Sequence, residues 1–179
     1  FNALLLKWVL RKATGIISTS EAMKQELLKY TSRNIAVIPF GIDFSAFSTN
    51  TGFIDKTVIR IGIFKRLENV YGIDKAIAAF AALTKQSVDQ KIELTIVGSG
   101  SQELALKEQT QALGVTELVK FIPWAEPEQI PTLLQQQHIC LYLSERESFG
   151  VAVIEAMAAQ KHLVVSDIPA FREVGKDYE

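Results

Sequence analysis

The chain has 179 residues, enough for one domain with a real core, and 48% of them are hydrophobic against 22% charged. That balance excludes a disordered or low-complexity chain, and a formal net charge of −1 leaves no electrostatic footprint for nucleic acid. A single cysteine, Cys140, excludes an intramolecular disulfide, and no apolar run reaches the roughly 18 residues that a membrane-spanning helix needs.

In chain order, Phe1–Lys12 is apolar with Lys7, Arg11 and Lys12 and reads as an amphipathic helix packed on a further domain. The other reading of LLLKWVLRK is peripheral contact with a membrane surface. Gly15–Ser18 is a short strand, and Ser20 is the N-cap of the next helix, with Met23 where a capping box places an acid. Ile35–Ile38 is a second strand. Pro39 and Gly41 then punctuate the connector IPFGIDFSAF, anchored by Phe44 and Phe47. Five β-branched runs follow at Val58–Phe64, Ile92–Val97, Val119–Ile122, Ile139–Leu143 and His162–Ser166. Between them Asp74–Thr84, Gln102–Leu113 (through Leu104, Leu106 and Leu113) and Pro127–Gln136 repeat apolar residues at helical spacing. The chain ends in REVGKDYE with no closing helix expected.

Strands that alternate with helices, and that are apolar throughout, predict an α/β fold. The expected architecture is a doubly wound, Rossmann-like parallel sheet covered on both faces. The expected division is 1–38 as the tail of another domain, 39–51 as a linker and 52–179 as the Rossmann-like domain, all of it a piece of a longer protein. Ligands of such a sheet bind at the carboxyl ends of its strands. The loops there are Lys65–Tyr71, Gly98–Ser101, Pro123–Glu126, Ser144–Gly150 and Asp167–Phe171.

The most telling of these loops runs into the next helix as ERESFGVAVIEAMAA, Glu145 to Ala159. Glu155 is a charge inside an apolar run and needs a partner: either a basic side chain or the diol of a bound sugar or ribose. Glu147 stands just before the Ser148-Phe149-Gly150 turn. It is either a surface acid stabilising the helix dipole or a second ligand acceptor. The turn itself directs backbone N–H groups at whatever binds above the helix. Lys65 and Arg66 follow a buried strand, either as a solvated pair or as cations for a phosphate. Gly98-Ser99-Gly100 is either a plain strand-to-helix turn or a close backbone approach to ligand. No GxGxxG, P-loop, nucleophile elbow or metal-ligand spacing is present. His138, His162 and Cys140 read as structural.

At these residues the chain resembles the C-terminal, donor-binding domain of GT-B fold retaining glycosyltransferases of family 4, the glycosyl transferases group 1 type. The resemblance covers nearly the whole chain. IAVIPFGIDFSAF is similar to the family's linker, with Phe40 in place of an Asn. IFKRLENVYGIDKAIAAFAAL resembles its phosphate-binding loop and helix, and LTIVGSGSQELALKEQTQALGV its VGxG segment. ERESFGVAVIEAMAA matches its E-x7-E motif, and VVSDIPAFREV the segment beyond.

The resemblance implies a hexosyltransferase that takes a sugar from a nucleotide diphosphate sugar to a glycan or lipid-linked acceptor in surface polysaccharide synthesis. It would work in the cytoplasm or at the inner face of a membrane, with no cofactor and no metal. Glu155 would then hold the ribose and Glu147 the donor sugar. Ser148, Phe149 and Gly150 would meet the sugar hydroxyls and diphosphate, Gly98 would line the donor site, and Trp124 would lie near the base. Arg66 and Lys65 would stabilise the leaving group. The resemblance also exposes departures. Val70 and Tyr71 stand where relatives have a Lys before the glycine matching Gly72, and relatives have a Gly near Gln160–Lys161 and a Gly-rich turn near Ala170. The readings that compete are a non-catalytic nucleotide-sugar binding or packing module, and a GT-B-like nucleotide-sugar epimerase.

Overall fold

A computed structural model describes residues 2–48, 57–86 and 90–176. The end of the expected linker, 49–51, lies outside them. The chain divides into two compact units, residues 1–42, 146–151 and 167–179 in the first, 43–145 and 152–166 in the second.

The second unit is built on a five-stranded, all-parallel sheet. Its strands are β3 (Val58–Phe64), β4 (Lys91–Val97), β5 (Val119–Ile122), β6 (Ile139–Tyr142) and β7 (His162–Val165), in the order β5-β4-β3-β6-β7. The order reverses between β3 and β6. With right-handed crossovers, α4 (Ile73–Gln86) and α5 (Glu103–Ala112) therefore cover one face, and α6 (Ile130–Gln135) and α7 (Val151–Ala158) the other. This is the doubly wound sheet expected from the alternation.

The core lies between β3, β4 and the first of these helical layers: Ile61, Ile63, Leu94 and Ile96 pack with Ile73, Ile77, Phe80 and Leu106. The periodicity of α4 thus marks its buried face. In α5 only Leu106 of the expected stripe is buried, while Leu104 is 70% exposed. β7 also departs from the expectation of strands covered on both faces, since it is an edge strand with Val164 and Val165 exposed.

His138 and Cys140 have the structural roles expected of them. The His138 ring Nδ1 accepts the Arg60 N–H at 3.0 Å, and the His138 backbone N–H donates to the Arg60 carbonyl at 2.8 Å, next to the β3–β6 ladder. Cys140 is buried in β6, and burial pushes its thiol pKa up to about 12.

The connector is more ordered than its punctuation suggested. Phe44–Ser48 forms a short helix, α3, in which Phe47 is buried and Phe44 is exposed, so Phe47 alone is an anchor. Gln135 Nε2 donates to the Phe47 carbonyl at 2.8 Å.

The first unit contains α1 (Ala3–Lys12), β1 (Ile17–Ser18), α2 (Glu21–Leu28), β2 (Ala36–Val37) and α8 (Pro169–Val174), with β1 and β2 parallel. Asn2 caps α1 by accepting the N–H groups of Leu4 and Leu5. Arg33 closes its other end, donating to the carbonyls of Leu10 at 2.8 Å and Ala13 at 2.6 Å. Ser20 caps α2 as expected, its hydroxyl accepting the Met23 N–H at 2.9 Å. The acid that a capping box would supply from within α2 comes instead from α8: the Glu173 carboxylate accepts the N–H groups of Glu21 and Ala22 at 2.8 and 3.0 Å. α8 itself corrects the expectation of a loop at Asp167–Phe171 and of no closing helix. Pro169 starts it, and Ala170 and Phe171 bury its inner side.

Candidate functional site

In the second unit the carboxyl ends of β3 and β6 lie side by side where the strand order reverses, and the loops that leave them turn to opposite faces. The two loops are tied together. The Glu145 N–H donates to the Val70 carbonyl at 2.8 Å, and Lys75 pairs with Glu145 at 2.7 Å. Gly72 allows the approach: its φ is +62°, and a Cβ there would lie 2.4 Å from the Leu143 carbonyl oxygen.

Lys65 and Arg66 both leave β3 here, and the structure gives them different settings. The Lys65 ammonium lies 4.7 Å from the centroid of the Tyr71 ring. The Arg66 side chain is 76% exposed and meets Glu68 at 3.4 Å. Glu68 is in turn held by the N–H and hydroxyl of Ser101, which, with the Arg66 charge, keep its carboxyl below the usual range.

Glu155 lies in α7, half-buried. Burial raises its pKa, and the charge of Lys65 draws it back down, so the carboxylate and the ammonium sense one another. Tyr142 is buried in β6, and among the described residues no nitrogen or oxygen partners its hydroxyl. Its pKa is pushed well up by burial first, then by the Cys140 thiol and the Glu155 carboxylate.

Gly98 follows β4, with φ +140°, and a Cβ on it would lie 2.0 Å from the Lys65 carbonyl oxygen. Its N–H donates to the Ile122 carbonyl at 2.8 Å. Its glycine therefore serves the approach of neighbouring loops, since Leu67 and Ser99 bond across the same junction at 3.0 Å. Trp124 follows β5, largely exposed, with its indole N–H bonded to Glu126 at 3.1 Å.

In the first unit the loop bearing Glu147, Ser148, Phe149 and Gly150 is supported from the N-terminal segment. The Ser148 carbonyl accepts the Ser20 hydroxyl at 2.5 Å and the Thr19 hydroxyl at 3.5 Å. Phe149 is buried, and Phe40 meets it edge-on with ring centroids 5.9 Å apart. Phe40, a departure from the family's linker pattern, thus has a packing partner. With the Ser148 carbonyl engaged below, the turn leads directly into the N-terminus of α7, where backbone N–H groups and the helix dipole favour an anion. Among the described residues no group of three or more His, Cys, Asp and Glu side chains has metal-ligand proximity.

Ser20, Thr19 and Phe40 support the acidic loop without any sequence signal that announces it. They lie more than a hundred positions upstream, and nothing in the chain's local pattern links them to it. In the sequence Tyr71 stands out only as a departure from the family's Lys. The adjacency of an aromatic residue and a lysine six positions away was the available signal.

Strand order and crossovers define a doubly wound α/β unit. Comparison with known proteins makes that specific. The glycosyl transferases group 1 family model matches residues 47–179, and the chain belongs to that family. It is 29% identical over 174 residues to a glycogen synthase of Mycobacterium tuberculosis, covering 93% of this chain and 40% of that protein. It is 27% identical over 185 residues to a phosphatidyl-myo-inositol mannosyltransferase of Mycobacterium leprae, covering all of this chain and 47% of that one. The crystal structure of Anabaena HepE in complex with UDP-glucose superposes with a TM-score of 0.83 at 25% identity, over 97% of this chain and 51% of that one. The chain thus spans about half or less of the length of these relatives. Its fold is that of the C-terminal half of a GT-B glycosyltransferase.

Proposed function

We propose that this chain is the donor-binding half of a retaining glycosyltransferase that moves a sugar from a nucleotide diphosphate sugar to a glycan or lipid-linked acceptor in surface polysaccharide synthesis. Residues 1–38 then belong to the acceptor half and 39–51 to the linker between halves. The observation that supports the reading is that Lys65, 4.7 Å from the Tyr71 ring centroid, and the half-buried Glu155 of α7 follow β3 and β6, the two strands between which the order reverses. The reading needs an acceptor for a ribose diol near a cation for the diphosphate it carries, and Glu155 and Lys65 are of those types. The complex of Anabaena HepE with UDP-glucose supports a donor of that class.

Each residue has a definite task in this reading. Glu155 accepts hydrogen bonds from the ribose hydroxyls, and Glu147 contacts the donor sugar. The backbone of Ser148, Phe149 and Gly150, at the start of α7, meets the sugar and the diphosphate. Trp124 and the backbone beside it face the base, and Gly98 shapes the wall by letting the β4 loop approach the β3 loop. When the bond from the anomeric carbon to the diphosphate oxygen breaks, negative charge develops on the leaving group. Lys65 and Arg66 stabilise it, and preorganised charges of this kind are worth about 3–4 kcal/mol each. Arg66 must exchange Glu68 for phosphate to do so.

The test is titration of the full-length protein with UDP, GDP and ADP, followed by a transfer assay with their sugars. Binding of one diphosphate that is lost in Glu155→Gln supports the reading, as does a turnover in Arg66→Ala lower by about a hundredfold. Near wild-type turnover in Arg66→Ala removes that residue from the site. The engagement of Arg66 by Glu68 favours a second reading, a non-catalytic binding module. Donor binding with neither transfer nor donor hydrolysis on any acceptor tested would select it.

A further inference from the structure

Lys65 is a lysine held by an aromatic face. Its partner Tyr71 is itself fixed: it closes the 3-10 turn Asn69–Tyr71, its N–H donates to the Glu68 carbonyl at 3.0 Å, and its ring packs against the buried core. A lysine ammonium is a compact charge on a flexible four-carbon stem, and ordering that stem opposes anion binding. A ring beneath the ammonium restricts it through its quadrupole and adds no opposing formal charge. Its neighbour Arg66 has a different setting and extends into solvent toward Glu68. The ring contact lies on the loop that the Val70–Glu145 hydrogen bond pins to the end of β6, at the mouth of the strand-order reversal.

We infer that Tyr71 is a positioning residue for the donor's diphosphate: its ring holds the Lys65 ammonium where the β3 and β6 loops diverge, so that diphosphate binding depends on Tyr71 only through Lys65. The inference rests on the donor-binding reading above. It explains how a chain with Tyr at this place keeps a fixed cation at the same rim.

The test is a double-mutant cycle on the full-length protein, read as calorimetric affinity for UDP, GDP and ADP against their nucleosides. Lys65→Met is expected to weaken binding of the diphosphate by about tenfold or more and to leave nucleoside binding unchanged. Tyr71→Leu is expected to weaken it by about three- to tenfold, while Tyr71→Phe, which keeps the ring, stays within about twofold of wild type. In the Lys65→Met background Tyr71→Leu should cost nothing further. The inference is overturned if Tyr71→Leu binds like wild type, if Tyr71→Phe falls as far as Tyr71→Leu, or if the Tyr71→Leu loss persists undiminished without Lys65. Failure of the wild-type protein to bind any of the three diphosphates sinks the donor reading itself. Tight wild-type binding with Tyr71 silent sinks only the role of the ring.

Discussion

Two helices of the second unit end alike, and the comparison isolates a single backbone cost. After α5, Gly114 takes φ +72°, its N–H donates to the Gln111 carbonyl, and the N–H of Val115 returns to the Thr110 carbonyl. After α7, Gln160 takes φ +57°, its N–H donates to the Met157 carbonyl, and the N–H of Lys161 returns to the Ala156 carbonyl. Both are the same two-bond C-terminal motif, one with glycine at the left-handed position and one with glutamine. A side chain there costs roughly 1–2 kcal/mol, and the extra freedom of glycine in the unfolded chain returns about 0.5–1 kcal/mol of that. Gln160→Gly should therefore stabilise by about 0.5–1 kcal/mol. For a domain of this size that is a rise in Tm of about 1–4 °C. Gly114→Ala should cost a similar amount, because a Cβ there meets nothing within 4 Å and only the φ penalty remains. Urea unfolding checks both as opposite shifts in midpoint at constant slope. A Gln160→Gly variant that melts at or below wild type, while Gly114→Ala melts lower, would refute the reasoning: the exposed glutamine side chain would then be supplying more than its backbone loses.

Three other expectations follow from single observations. Because burial raises the folded-state pKa of Glu155, the native chain binds its proton more tightly than the unfolded chain does; stability therefore falls as pH rises above 4.5 toward the raised value and stays low beyond it. Glu155→Gln should match wild type in Tm below that window and exceed it near neutrality, while losing diphosphate affinity; a gain that does not vary with pH contradicts this. The Cys140 thiol, at about 12, should resist alkylation in the native protein at about pH 8 and react only as β6 unfolds, so stoichiometric native labelling within minutes would count against its burial. Removal of the Arg33 guanidinium by Arg33→Met leaves the α1 carbonyls of Leu10 and Ala13 without that donor and should destabilise the first unit by about 1–2 kcal/mol, read by hydrogen exchange along Ala3–Lys12; unchanged exchange there would show that water satisfies those carbonyls as well.

What was legible in the chain beforehand follows from how far each signal reaches. β3, β4 and α4 are readable because burial imposes a local pattern: Ile61, Ile63, Leu94 and Ile96 recur on one side of the strands, and Ile73, Ile77 and Phe80 on one side of the helix. The same inference misled at β7, where an equally apolar run sits at a sheet edge, since composition does not record which strand is last. α3 and α8 were missed because each is too short for periodicity to appear, and Pro169 resembles a loop signal although it is also the residue a helix accepts in its first turn. The acids and cations of the candidate site were recognisable by type and order. Their settings were not: the Ser20 hydroxyl against Ser148, the Glu173 carboxylate on α2, Arg66 turned to Glu68 and Lys65 laid over Tyr71 each depend on side-chain directions fixed by packing. Such contacts decide which of two adjacent cations lies over the Tyr71 ring and which turns to Glu68. That is a question of geometry rather than composition, and it is where the residues of this chain depart most from the pattern that its motifs suggest.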